Sequence, residues 1–188
     1  MNTACAACLE TAMNIPEKEL PLYEENLIRR LDGIAAFARK ADWKDFTWTV
    51  HMEDESEFKY RGLREKSDRI IRRMSDFIRM KYPVFRRETA NPYIPRLRGS
   101  FNLWTVLIRD YPKITPAEWD AIRKDGDGVW AYVCCEPHAP FANFFVDQEG
   151  AVPRVLFWQL FKHRIDGLLY YSVNAVRRQE NSDLPGPK

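Results

Sequence analysis

The order in which short apolar runs and helix-period segments follow one another narrows the fold of this chain most. Five runs, over 46–52, 84–89, 101–108, 129–134 and 167–172, have the length and residue types of strands. Leu27, Ile28, Leu31, Ile34, Ala35 and Ala38 recur at helical spacing, which predicts a helix over about 24–41. A second is predicted over 63–81, ended by Pro83. Thr115-Pro116-Ala117-Glu118 marks a third start: Thr115 can cap, Pro116 suits the first turn, and Glu118 completes a capping box. A fourth, over 152–163, begins around Pro153, and proline-bearing loops cover 91–99 and 136–149. Strands alternating with helices in this order specify a parallel α/β sheet.

Composition removes several classes of function. The 29 basic residues are balanced by 27 acidic ones, so charge gives no argument for binding nucleic acid. Arg69, Arg72, Arg73 and Arg79 alternate with Ile70, Ile71, Met74, Phe77 and Ile78, which makes them the solvated face of an amphipathic helix. No apolar run reaches the roughly 18 residues of a membrane span, and Glu10 interrupts what would be the apolar part of a leader. Cys5 and Cys8, and the vicinal Cys134 and Cys135, do not predict a metal centre, because a zinc site needs converging ligands and neighbouring strand residues diverge. No glycine-rich phosphate loop follows a strand, so no nucleotide cofactor is expected. Residues 1–23 read as an N-terminal segment, 24–176 as the folded domain, and 177–188 as a disordered tail.

Glu53, Asp54 and Glu55 close the first of the five runs, Phe46-Thr47-Trp48-Thr49-Val50-His51-Met52. Acids at the C-terminal end of a strand that leads into a helix are placed as a β/α barrel places catalytic groups. Phe46, Trp48, Val50 and Met52 share one face, expected to pack on helices. Simple alternation then turns Glu53 and Glu55 inward and Asp54 outward, whereas a bend after Met52 would bring Asp54 in. Without further information the triplet also suits a solvated loop before a helix.

Asp54-Glu55, the run Trp130-Ala131-Tyr132-Val133-Cys134, and Arg154, Trp158, Lys162 followed by Asp166-Gly167-Leu168-Leu169-Tyr170-Tyr171-Ser172-Val173-Asn174 resemble the catalytic barrel of glycoside hydrolase family 123, the N-acetyl-β-galactosaminidases. The family's acid pair is usually followed by Pro; here Ser56 stands there. The resemblance implies a partial (β/α)8 TIM barrel in which these strands are the fourth through eighth, the first three being absent. At 188 residues the chain is shorter than the typical ~250 of a full barrel. The resemblance therefore also implies a missing barrel half or a complementing chain.

It implies a glycan substrate and substrate-assisted, retaining hydrolysis of a terminal N-acetylhexosamine. Adjacent acids are poorly placed to flank a glycosidic bond, but the sugar's own 2-acetamido group can act as nucleophile. Glu55 would be the general acid/base, kept protonated by its neighbour, and Asp54 would polarise the acetamido group. Trp104, Trp130, Tyr132, Tyr171, Asn174 and His51 are candidate substrate contacts. No cofactor and no metal are implied. The competing reading is a non-catalytic partial barrel, either a carbohydrate- or protein-binding module or an inactive remnant.

Overall fold

The computed structural model describes residues 2–8, 15–40, 46–55 and 61–170. Its elements run β1 (Asn2–Cys8), α1 (Leu20–Lys40), β2 (Phe46–Asp54), α2 (Arg64–Lys81), β3 (Arg86–Ala90), β4 (Leu103–Leu107), α3 (Pro116–Asp125), β5 (Gly128–Val133), α4 (Val152–Lys162) and β6 (Gly167–Tyr170). Every strand pairs in parallel with its sequence neighbours, giving one sheet in the order β1 to β6. The sheet curls with its helices interleaved, so the fold is a partial β/α barrel.

All five expected strands are present, and β1 is an addition. Asn2-Thr3-Ala4-Cys5-Ala6-Ala7-Cys8 contains no valine, isoleucine or aromatic residue, so nothing in it signals a strand. Its pairing with β2 nevertheless places residues 2–8 in the sheet.

Register divides the sheet into two faces. Trp48, Val50 and Met52 of β2, Trp104 and Val106 of β4 and Val129 of β5 face the helices. There they pack with Leu27 and Leu31 of α1, Ile70, Ile71, Met74 and Ile78 of α2, and Ile122 of α3. Ala131 and Val133 continue this face under Leu156 and Leu160 of α4. The arginines of α2 stay on its outer side: Arg69 pairs with Glu17 at 2.8 Å, and Arg73 grips Glu24 at 2.7 and 3.0 Å. α3 begins with the expected capping box. The Thr115 hydroxyl accepts from the Glu118 N–H, and Glu118 Oε2 accepts from the Thr115 N–H at 2.8 Å. The helix ends at Gly126, whose φ of 73° favours glycine.

The opposite, inner face carries Thr49 and His51 of β2, Arg86, Glu88 and Ala90 of β3, Leu103, Thr105 and Leu107 of β4, Trp130 and Tyr132 of β5, and Leu169 of β6, matched by ladder register.

Candidate active site

The acid triplet is sorted by a bulge. His51 pairs with Glu88, but Glu53 pairs with Thr89 and Asp54 with Ala90, so β2 holds one residue more than β3 at Met52. An extra strand residue of this kind breaks simple alternation. Met52 and Glu53 consequently both face outward, and Asp54 shares the inner face with Ala90.

Glu53 is therefore removed from the site, a correction to the inward placement that simple alternation gives. It is completely buried on the helix side, where its Oε1 accepts a hydrogen bond from Asn91 Nδ2 at 2.8 Å. Asn91 also donates to Thr89 Oγ1, and the Thr89 hydroxyl donates to the backbone carbonyl of Glu53 at 3.2 Å. This network holds the bulged strand end against β3.

Glu55 follows with a φ of 53°, a left-handed conformation that costs a non-glycine residue about 1–2 kcal/mol. Its N–H donates to the Ala90 carbonyl at 3.1 Å, and its Oε1 accepts from the Tyr132 hydroxyl at 3.0 Å. Strain of this sort is retained where surrounding contacts over-determine it. Tyr132 sits in an apolar layer with Ala90 and Leu107, bordered by Cys134 and Leu169. Burial, and after it the Glu55 charge, push its phenol well above the usual tyrosine range, so it stays a donor. Burial likewise raises the Cys134 thiol.

One layer down, His51 Nδ1 hydrogen-bonds Glu88 Oε2, and Glu88 is only 3% exposed. Sequence reasoning missed Glu88. It lies in Arg86-Arg87-Glu88-Thr89, within the strand expected over 84–89, and only its partnership with His51 across the ladder marks it. Nearer the strands' N-terminal ends, a concavity of about 720 Å³ opens on the inner face beside Thr49, Arg86, Trp130 and Leu169. The Trp130 indole lies directly over Gly167: a Cβ there would come within 2.6 Å of Nε1.

The structure thus brings Asp54, Glu55, Tyr132, His51 and Trp130 onto one face. It does not bring Trp104 there. That indole is fully buried on the helix side, edge-on to Tyr93 and Phe101, with Nε1 donating to Asp127 Oδ2 at 2.9 Å. Tyr171 and Asn174 lie outside the described residues, as does the predicted disordered tail. Among the described residues no cluster of histidine, cysteine or acidic side chains has the arrangement of a metal site, and no helix is long and apolar enough to cross a membrane.

A family model for the glycoside hydrolase 123 catalytic domain matches residues 9–184. The chain belongs to glycoside hydrolase family 123. No curated protein matches it significantly. The match begins just after β1 and runs through every other element of the family 123 fold described above, including the strand end that carries Asp54 and Glu55.

Proposed function

We propose that this family 123 member is a retaining β-N-acetylhexosaminidase, selective for terminal N-acetylgalactosamine, that uses the substrate's acetamido group as nucleophile. The supporting observation is the bulge at Met52, which lets two consecutive carboxylates serve one mouth. Asp54 is turned inward by register, and Glu55 is turned by its left-handed backbone and held by Tyr132.

In this reading the acetamido carbonyl oxygen bonds to the anomeric carbon as the glycosidic bond breaks, and Glu55 gives its proton to the departing oxygen. Tyr132 donates to Oε1, so the transferable proton resides on Oε2. Asp54 accepts the acetamido N–H and stabilises the positive charge that develops on the oxazolinium-like ring. Glu55 then takes a proton from water as its oxygen attacks the anomeric carbon and the bond to the acetamido oxygen breaks, regenerating the acetamido group and restoring the original configuration. Tyr171 and Asn174 are the further proposed contacts at this end, whereas Trp130 lines the concavity nearer the strands' N-terminal ends. Among the described residues the outer edges of β1 and β6 pair with no strand, and a complementing chain would add strands there.

The test is hydrolysis of aryl N-acetyl-β-galactosaminide followed by proton NMR of the first-formed sugar. Release of the β-anomer supports the reading. Release of the α-anomer, or no turnover of any aryl N-acetylhexosaminide by the protein, rejects it.

A further inference from the structure

Cys134 and Cys135 follow the last residue of β5 and have no part in the chemistry described so far. Consecutive residues within a strand point their side chains to opposite faces. Here the strand ends at Val133 and the backbone bends, so the two sulfurs lie side by side, 3.9 Å apart. The bend is pinned by its own backbone and by a buried asparagine. The Cys134 N–H donates to the Glu136 carbonyl at 2.9 Å, and the Cys134 carbonyl accepts from Asn143 Nδ2 at 3.2 Å. Asn143 is completely buried and also donates to the Pro137 carbonyl at 3.1 Å. Both cysteines are free thiols, Cys135 exposed and Cys134 half-buried against the layer of Ala90, Leu107 and Tyr132. Tyr132 in turn holds Glu55, so one sulfur of the pair packs against the support of the acid pair.

We propose that Cys134 and Cys135 are a modification site: a small disulfide converts this dithiol to a vicinal disulfide at the rim of the acid pair. The Cys135 thiolate attacks first, because it is the exposed group, whereas burial raises the Cys134 thiol and keeps it protonated. Attack on one sulfur of the small disulfide forms a mixed disulfide on Cys135 and releases one thiolate. Cys134 then gives its proton to solvent, its sulfur bonds to Cys135 Sγ, and the bond to the small molecule breaks to release a second thiolate. The protein loses two hydrogens and two electrons, which reduce the small disulfide to two thiols. Closure requires the sulfurs to approach by roughly 2 Å, a movement of the size that a side-chain rotamer change gives. Consecutive Cα atoms stand about 3.8 Å apart, closer than the roughly 4.4–6.8 Å usual across a disulfide, so the bond is strained and reopens readily with excess thiol. The effect on turnover rests on the function proposed above; the disulfide does not.

Oxidised glutathione applied to the full chain, followed by tryptic mass mapping, tests this. Cys134 and Cys135 fall in the tryptic peptide 125–154, and Cys5 and Cys8 in 1–18. Peptide 125–154 is expected about 2 Da lighter, closed to alkylation and restored by dithiothreitol. C134S, which lacks the second sulfur, should instead hold one glutathione on Cys135. In kinetics with aryl N-acetyl-β-galactosaminide, the oxidised wild type should lose roughly 2–10-fold in kcat, the range for loss of the Tyr132–Glu55 hydrogen bond, and regain it on reduction. C135S should keep its kcat through the same treatment. A peptide 125–154 that keeps both thiols, or carries glutathione without closing, overturns the proposal. Unchanged kcat on closure, or an equal loss in C135S, overturns the link to the acid pair. A reduced wild type that turns over no aryl N-acetylhexosaminide would instead refute the proposed function, and the peptide mass would still decide the disulfide.

Discussion

Tyr132 on β5 and Glu55 beyond β2 are joined by a 3.0 Å hydrogen bond that bridges over the two strands between them. Only a curled sheet with long side chains on its concave face brings these positions together. The bond ties the most strained backbone position of the site to one of its most buried phenols.

Tyr132→Phe removes that hydroxyl and leaves the ring in place. A hydrogen bond to an uncharged carboxyl contributes about 0.5–1.5 kcal/mol, so kcat should fall roughly 2–10-fold with KM little changed. Steady-state kinetics check this, and a mutant with wild-type kcat would show that Glu55 needs no anchor.

Glu55→Gln should abolish measurable hydrolysis of substrates with poor leaving groups, since general acid catalysis contributes about 10²–10⁴-fold. An aryl glycoside whose phenol leaves without protonation should lose much less in the glycosylation step. Equal losses on both substrates would remove Glu55 from the acid role.

Gly167→Ala places a Cβ against the Trp130 indole, with three ring atoms at 2.6–2.8 Å. Overpacking of this kind costs about 1–3 kcal/mol. Urea unfolding should detect the loss, and the tryptophan emission of the folded protein should shift. Unchanged stability and emission would mean that the ring has room to move aside.

Alkaline stability should depend on Tyr82. Burial, and then its hydrogen bond to Asp32 at 2.8 Å, push the phenol up to about 12 from an ordinary value of 10.0. The unfolded chain releases this proton first, so the contribution of Tyr82 is complete below pH 10 and is lost as pH rises toward 12. Tyr82→Phe should therefore show a flatter stability profile between those two values. A variant with the same slope as wild type would assign the alkaline transition to other groups.

Strand and helix order was readable because the apolar periods were strong, and the Thr115–Glu118 cap was readable because it is written in adjacent residues. β1 was not, since an alanine- and cysteine-rich stretch forms a strand only through its neighbour. Trp104 looked like a sugar platform because an aromatic in a strand carries no mark of which face it takes, and here the helix side claimed it. The inward turn of Asp54 was visible only as one of two options. Neither glycine nor proline marks Met52 as the extra residue, and the decision belongs to the count of partners on β3. Glu88 was hidden because a buried carboxylate differs from a solvated one by its partner, and the partner lies far along the chain.

Because Met52 and Glu53 take the same side, the strand changes step between His51 and Asp54, and the two inward positions are keyed independently. Deleting Met52 would return the strand to plain alternation with His51 and Asp54 both still inward. Deleting Val50 would leave Asp54 inward but turn His51 toward the helices. The histidine layer and the acid layer can thus be varied separately by changing strand length alone, without altering a single carboxylate.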